Sequence, residues 1–257
     1  MLRILNSQLN YNNNNNNKEV TSFIKKMEAN STVNYDPKEF YTGSANYWAN
    51  VPATLNGMLG GFGFISNIDI DGSQNFLDSL FEFLFQIEDA PSHKYALDCG
   101  SGIGRITKNL LIKNFEWVDL VEQNAKFLDT AKKLLRSSSN IGQFYLIGLQ
   151  DFCPELNKYD IIWCQWVLGY LQDDDLLKFL KKCSNALKEN GMIIVKENIT
   201  SSKKIEIDTQ DSSFTRPYDK LKTVFDAANL VCIKEQEQLR LPEGLYPVHM
   251  FALRPKK

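Results

Sequence analysis

The stretch Asp98-Cys99-Gly100-Ser101-Gly102-Ile103-Gly104-Arg105 constrains this chain more than any other segment. Tyr95-Ala96-Leu97 before it is apolar and strand-like, and Ile106 to Lys113 after it predicts a helix. Glycines in a strand-to-helix turn let the backbone approach a ligand that any side chain would push away. The dinucleotide fingerprint runs G-x-G-x-x-G, whereas here the third glycine comes one residue early and an acid stands two residues before the first. That spacing is the form of the turn that holds S-adenosylmethionine. Trp117 to Val121 predicts the next strand, which ends at Glu122, 22 residues after Gly100. A carboxylate about 20 residues downstream is placed to bind two vicinal ribose hydroxyls.

Beyond the turn the pattern alternates. Strands are predicted at 117–121, 143–147, 159–165, 192–197 and 230–236, with helices at 124–136, 173–188 and 219–228. Such βα alternation implies a mostly parallel sheet flanked by helices. Val248 to Leu253, following Pro247, is expected to pair antiparallel as the last of seven strands. The fold class expected is therefore α/β and Rossmann-like; with the turn and the antiparallel last strand it resembles the class I S-adenosylmethionine-dependent methyltransferase sheet, with an N-terminal helical and lid segment.

Composition narrows the partners. A chain of 257 residues accommodates one sizeable α/β domain. Its formal net charge of −2 and the absence of a long basic run argue against a nucleic-acid binder and for a small or cationic substrate. Five cysteines without a C-x-x-C point to reduced thiols in a cytosolic or nuclear protein, and only two histidines make a zinc site an unexpected feature. No apolar run reaches the roughly 18 residues of a membrane span, and Met1 to Leu5 is too short for a secretory leader. Lys203-Lys204 and Lys256-Lys257 are too few for a nuclear signal. The oligomeric state is open, with a monomer as the expectation. Residues 1–37, carrying six consecutive asparagines from Asn12 to Asn17, are expected to be a disordered extension, and residues 38–257 the domain with its lid.

In open α/β sheets ligands lie outside the carboxyl ends of the strands, so chemistry is sought there. Phe40 to Trp48 is a helix-compatible aromatic segment, and 51–64, rich in glycine with Phe62 and Phe64, reads as a lid or a core-packing loop. After the third strand come Leu149, suited to an adenine face, and Gln150-Asp151, suited to its edge. After the fourth come Gln165, suited to the amino-acid end of the cofactor, and Trp166. Trp163 belongs to the core, whereas Trp166 at the strand end offers a ring face to a proline or a cation. Lys196-Glu197-Asn198 ends the fifth strand, and Asp208 and Asp211 follow; alone, such loop acids are ordinarily solvated charges.

With these residues in place, the chain from about Phe40 to Arg254 resembles the α-N-terminal protein methyltransferases. The resemblance is carried by Asn56-Gly57-Met58-Leu59-Gly60-Gly61, Leu97 to Gly100, Gly102 to Lys108, Gly148 to Phe152, Gln165-Trp166-Val167, Asn198 and Asp211-Ser212-Ser213. It implies methylation of protein amino termini of the X-Pro-Lys or X-Pro-Arg type, with S-adenosylmethionine as cofactor and S-adenosylhomocysteine as product. It implies that Gly100, Arg105, Glu122, Leu149, Gln150 and Gln165 surround the cofactor under Trp48. It further implies that Trp166 packs on the substrate proline and Asn198 bonds the backbone of the first residue. Asp208 and Asp211 would receive the third-position cation, assisted by Ser213 and Tyr246, with Asp211 as base toward the α-amine.

Two departures from that pattern stand out. Glu122 takes the place of an aspartate, and Tyr170 that of a histidine four residues after the substrate tryptophan. Histidine is the natural neutral-pH base, so the resemblance leaves Asp211 as the main proton acceptor, with Tyr170 holding position or a water. Two other readings use the same residues: a small-molecule or lysine methyltransferase, and an inactive cofactor-binding adaptor.

Overall fold

A computed structural model describes residues 36–256; the expected extension lies almost wholly outside them. The domain opens with α1 (Pro37–Asn50), whose Asp36 caps the amide of Lys38 at 2.8 Å and whose proline sits in the first turn, where its missing N–H costs nothing. A short α2 (Leu55–Met58) and a 3₁₀ turn (Gly63–Ile65) lead into α3 (Ser66–Gln86). The sheet then begins with β1 (Tyr95–Cys99).

After β1 the chain is helical as expected, but Thr107–Leu111 forms a wider π turn before α4 (Ile112–Asn114). The alternation follows as β2 (Trp117–Glu122), α5 (Ala125–Leu135), β3 (Ile141–Leu146), β4 (Tyr159–Gln165), a 3₁₀ turn (Leu168–Tyr170), α6 (Asp173–Ala186) and β5 (Leu187–Thr200). A small hairpin, β6 (Glu206–Asp208) and β7 (Ser213–Pro217), precedes α7 (Tyr218–Ala227), β8 (Leu230–Glu237) and β9 (Val248–Pro255).

The main sheet has the order β3-β2-β1-β4-β5-β9-β8, with β9 antiparallel to both neighbours. These are the seven strands the sequence implies. The hairpin is an addition: β7 pairs with Ile199 and Thr200 at the carboxyl end of β5. Alternation along the central strands splits the core into two layers. Ile161 and Trp163 of β4 and Met192 and Ile194 of β5 face Phe76, Leu77, Leu80 and Leu84 of α3. Ile162, Cys164, Ile193 and Val195 face Leu176, Phe179 and Leu180 of α6 and Phe225 of α7. Both faces are covered, which is why β4 is buried along its whole length and apolar from Ile161 to Cys164.

Among the described residues no helix is long and apolar enough to cross a membrane, and no group of three His, Cys, Asp or Glu side chains could hold a metal ion. All five cysteines are free thiols.

Candidate active site

A cleft of about 1010 Å³, measured to its open mouth, lies over the carboxyl ends of β1, β2 and β4. Its floor is the glycine turn, where Gly100, Gly102 and Gly104 take φ of 71°, 56° and 80°. Side chains rarely adopt such angles. Space forbids them as well: a Cβ on Gly100 would stand 2.4 Å from Val167, and one on Gly102 2.9 Å from the Met58 sulfur. Asp98 braces the turn, accepting from the Thr107 amide at 3.1 Å and its hydroxyl at 2.6 Å. Burial pushes its carboxyl up to about 6.

Glu122 ends β2 beside the turn. One of its oxygens accepts from the Gly102 amide at 2.9 Å and the other from the Asn124 amide at 2.8 Å. Burial raises its pKa. The longer side chain thus ties two loops together while lining the cleft.

Every cofactor residue implied by the resemblance lines this cleft: Trp48, Gly100, Arg105, Glu122, Leu149, Gln150 and Gln165. Trp48 is held over it by Asn124, whose side-chain amide donates to the Trp48 carbonyl at 3.1 Å, and by Lys126, which donates to the carbonyls of Ala49 and Val51 at 2.8 and 2.7 Å. A cation closing the carboxyl end of α1 suits the helix dipole. Asp151, paired with Gln150 in the sequence reading, is exposed and outside the lining; it accepts from the Gln150 amide at 3.1 Å instead.

The lid reading needs the same kind of correction. Met58 and Leu59 face the cleft, whereas Phe64 is 71% exposed and Phe62 packs away from it, beside Leu59. Glycine at 60 and 61 serves the turn, at φ 60° and 93°.

The cleft chemistry fits a nucleoside carrying an amino-acid arm. Two hydroxyls in its wall, on Ser44 and Ser101, are buried and find no partner among the described residues. Such orphans are rare in a folded interior and mark places a ligand satisfies. Apolar Leu149 and Phe127 suit an adenine face, Glu122 suits ribose hydroxyls, and Arg105 suits a carboxylate.

A smaller, half-open recess shares Trp166 and Tyr170 with the cleft. Glu197, Asn198, Ser213, Phe214 and Thr215 complete its wall. Trp166 is 8% exposed and sits at φ 52°, an outlying conformation for a bulky residue. Its surroundings enforce it. The Trp166 amide donates to the Lys196 carbonyl at 2.9 Å, and the Glu197 carboxylate accepts from the next two amides, Val167 and Leu168, at 2.8 and 2.7 Å. Burial raises the Glu197 pKa.

Tyr170 donates its hydroxyl proton to Asp211 at 2.7 Å, and the Ser213 hydroxyl donates to the other Asp211 oxygen. Asp211 is 2% exposed. The turn carrying Tyr170 is braced by the buried Arg216, which donates to the carbonyls of Leu168 and Leu171 at 3.0 and 2.6 Å and to Asp173 at 2.9 Å. The Tyr170 ring meets Trp48 edge-on at 5.8 Å, so the cleft's cover and the chamber touch.

Asp208, Asp211 and Tyr246 line neither cavity, and Asp211 meets the chamber through Tyr170 and Ser213 in its wall. Asp208 sits on β6, half-buried and opposite Ser213, and accepts from the Gln210 amide at 2.8 Å. Tyr246 is buried and donates to Glu206, an acid on the same strand that the sequence reading passed over. Sequence reasoning also missed α3 and, on it, Asp69. The signal existed: Phe76, Leu77, Leu80 and Leu84 recur at helical spacing, and extending that face backwards lands on Ser73 and Asp69.

Fold and site together define a class, the S-adenosylmethionine-dependent methyltransferases built on a Rossmann-like sheet. Within that class, the family described as AdoMet dependent proline di-methyltransferase matches residues 36–254, and this chain belongs to it. The chain is 45% identical over 221 residues to the N-terminal Xaa-Pro-Lys N-methyltransferase 1 of Xenopus tropicalis, covering 85% of this chain and 97% of that protein. It is 44% identical over 221 residues to the alpha N-terminal protein methyltransferase 1 of Drosophila melanogaster, covering 84% and 77%. Among solved structures, a SAM-dependent methyltransferase from Leishmania major superposes with a TM-score of 0.79 at 39% identity, over 91% of each chain.

Proposed function

We propose that this chain transfers methyl groups from S-adenosylmethionine to the free α-amino group of proteins beginning X-Pro-Lys or X-Pro-Arg. The observation that carries this reading is the chamber of Trp166, Asn198, Tyr170 and Ser213 opening from the cleft, with Asp211 hydrogen-bonded to its wall. When bound, S-adenosylmethionine supplies an electrophilic methyl on a sulfonium and becomes S-adenosylhomocysteine.

The chain's own residues then have two tasks. Trp166 offers a flat, rigid wall against which a proline ring packs, and Asn198 offers an amide to the backbone of the first residue. Glu206, Asp208 and Asp211 on the hairpin supply carboxylates that suit a third-position Lys or Arg. Tyr170 and Asp211 handle the proton. An α-amine titrates near 7.7–8.0, so roughly a quarter is neutral near pH 7.4, against about one in a thousand for a lysine side chain at 10.4. The remaining proton passes to the Asp211 carboxylate through the Tyr170 hydroxyl, which accepts on oxygen as it donates to Asp211. Orientation in the chamber carries more of the rate than proton removal does.

The free cysteines support a cytosolic or nuclear setting, and the net charge of −2 supports peptide rather than nucleic-acid partners.

The test is mass spectrometry of a synthetic Ser-Pro-Lys peptide incubated with the protein and S-adenosylmethionine, beside its N-acetylated twin. Methylation of the free-amine peptide alone is the expected result. Methylation of both moves the acceptor to the lysine side chain, and cofactor binding without methylation of either leaves a binding protein.

A further inference from the structure

Beneath the cleft lies a buried polar cluster centred on Asp69 of α3. One Asp69 oxygen pairs with Arg105 at 2.6 Å and the other with Lys196 at 2.5 Å. The Gln165 amide nitrogen donates to both oxygens, at 2.9 and 3.0 Å. Lys196 is completed by the Asp69 carbonyl at 3.0 Å, the Ser73 hydroxyl at 2.8 Å and the Gln238 carbonyl at 2.7 Å. Asp69 and Lys196 are wholly inaccessible to solvent, while Arg105 and Gln165 line the cleft.

The chemistry of the partners fixes which way Gln165 points. Trp163 can only donate, and its indole N–H reaches the Gln165 carbonyl at 3.1 Å. An ionised Asp69 can only accept, so the amide nitrogen must face it. A flip would oppose donor to donor and acceptor to acceptor in a dry site, where each mismatch is expensive. At this end of the cleft Arg105 and Gln165 therefore present N–H groups. The polarity survives only while Asp69 stays ionised. Burial pushes its carboxyl up, and Lys196 and Arg105 together bring it below its ordinary value.

We propose that Asp69 and Lys196 form a positioning pair that locks Arg105 and Gln165 as donors, making this end of the cleft selective for the carboxylate of the cofactor's amino-acid arm. The proposal rests on the methyltransferase reading, since the arm belongs to that cofactor. Neither residue touches the ligand; both act through the two that do.

The experiment compares three ligands by calorimetric titration: S-adenosylhomocysteine, its decarboxylated analogue, and 5′-methylthioadenosine, which lacks the arm. The unmodified protein should favour S-adenosylhomocysteine over the decarboxylated analogue by at least about tenfold, the size of one charge-assisted hydrogen bond. Lys196→Met and Asp69→Asn should each reduce that preference to about twofold or less while leaving 5′-methylthioadenosine affinity within about twofold. The double substitution Asp69→Asn with Lys196→Met, which removes both charges together, should do the same and guards against a variant that fails to fold. Equal loss for all three ligands would mean a structural role only and would overturn the proposal. So would a carboxylate preference that survives in the variants, or one absent from the unmodified protein. If the unmodified protein binds none of the three, the methyltransferase reading itself fails.

Discussion

The cofactor cleft takes its shape from backbone, and the acceptor chamber beside it from side chains drawn together across long stretches of chain. In the cleft Gly100 and Gly102 at positive φ define the floor, and the Gly102 amide meets Glu122. In the chamber Tyr170 bonds an aspartate 41 residues away, and Trp166 is held at φ 52° by groups from β5. The contrast teaches what each half tolerates. A backbone-made surface forbids added atoms, as the clash of a Cβ on Gly100 with Val167 shows. A side-chain-made surface depends on residue identity, and damage to it should leave cofactor binding alone.

The largest expected effect follows from that separation. Asp211→Asn removes the proton acceptor and should lower turnover of a Ser-Pro-Lys peptide by about 10² to 10⁴, with S-adenosylhomocysteine affinity nearly unchanged in a titration. Full activity between about pH 6 and pH 9, the span over which an α-amine titrates, would remove Asp211 from this role.

Gly100→Ala is the opposite cut. Its Cβ meets Val167 at 2.4 Å and its φ of 71° becomes strained, at a cost of about 1–3 kcal/mol. Cofactor affinity should fall by roughly tenfold or more, while the peptide KM at saturating cofactor stays near its original value. Equal losses of cofactor and peptide binding would show that the two halves are one cooperative unit and break the comparison.

Tyr170 stands on the seam, and its substitutions sharpen the contrast. Tyr170→Phe keeps the edge-on contact with Trp48 and loses the bond to Asp211. We expect kcat to fall by a factor of about three to ten, the size of one net hydrogen bond, with cofactor affinity retained. Tyr170→His should add an acidic limb to the kcat/KM profile near about pH 6.5, activity falling below it because an imidazolium cannot accept a proton. A profile unchanged in shape would place residue 170 outside the proton path.

The same contrast explains what was legible in the sequence. The glycine turn, the succession of strands and Glu122 could be read because spacing along the chain dictates them: β1 and β2 pair in register from Tyr95 with Trp117 onward, and the acid falls beside the glycines without further information. Trp166 was readable as a strand-end aromatic, though nothing local announces its left-handed backbone. The proximity of Asp211 to Tyr170 came from resemblance alone, since it depends on a hairpin that pairs only two residues of β5. Asp69 was invisible as a site residue because its partners Arg105, Gln165 and Lys196 come from three other elements. The phenylalanines of the lid misled for the opposite reason: size suggested a cover, but the chain direction at Gly60 and Gly61 turns Phe64 outward to solvent.

The last effect concerns stability rather than activity and tests how tightly the backbone-made half is buried. Asp98 has its carboxyl pushed up by burial from an ordinary 3.8 to about 6. The folded chain therefore takes up this proton before the unfolded chain does. The contribution of Asp98 to stability rises as pH falls from about 7 through 6, and levels off near 3.8, where the unfolded chain protonates as well. A shift of this size corresponds to at most about 3 kcal/mol, or several degrees of melting temperature in a domain this large. Glu122 and Glu197, also raised, act in the same sense, whereas Asp69 and Asp173, both lowered, act against it. The unmodified protein thus gives only a sum. Asp98→Asn isolates the single term: its melting temperature should gain on the unmodified protein near pH 7 and lose that advantage as pH approaches 4. Two curves that run parallel between those limits would mean that Asp98 titrates as an ordinary carboxylate, and that the floor of the cleft is wetter than its hydrogen bonds to Thr107 imply.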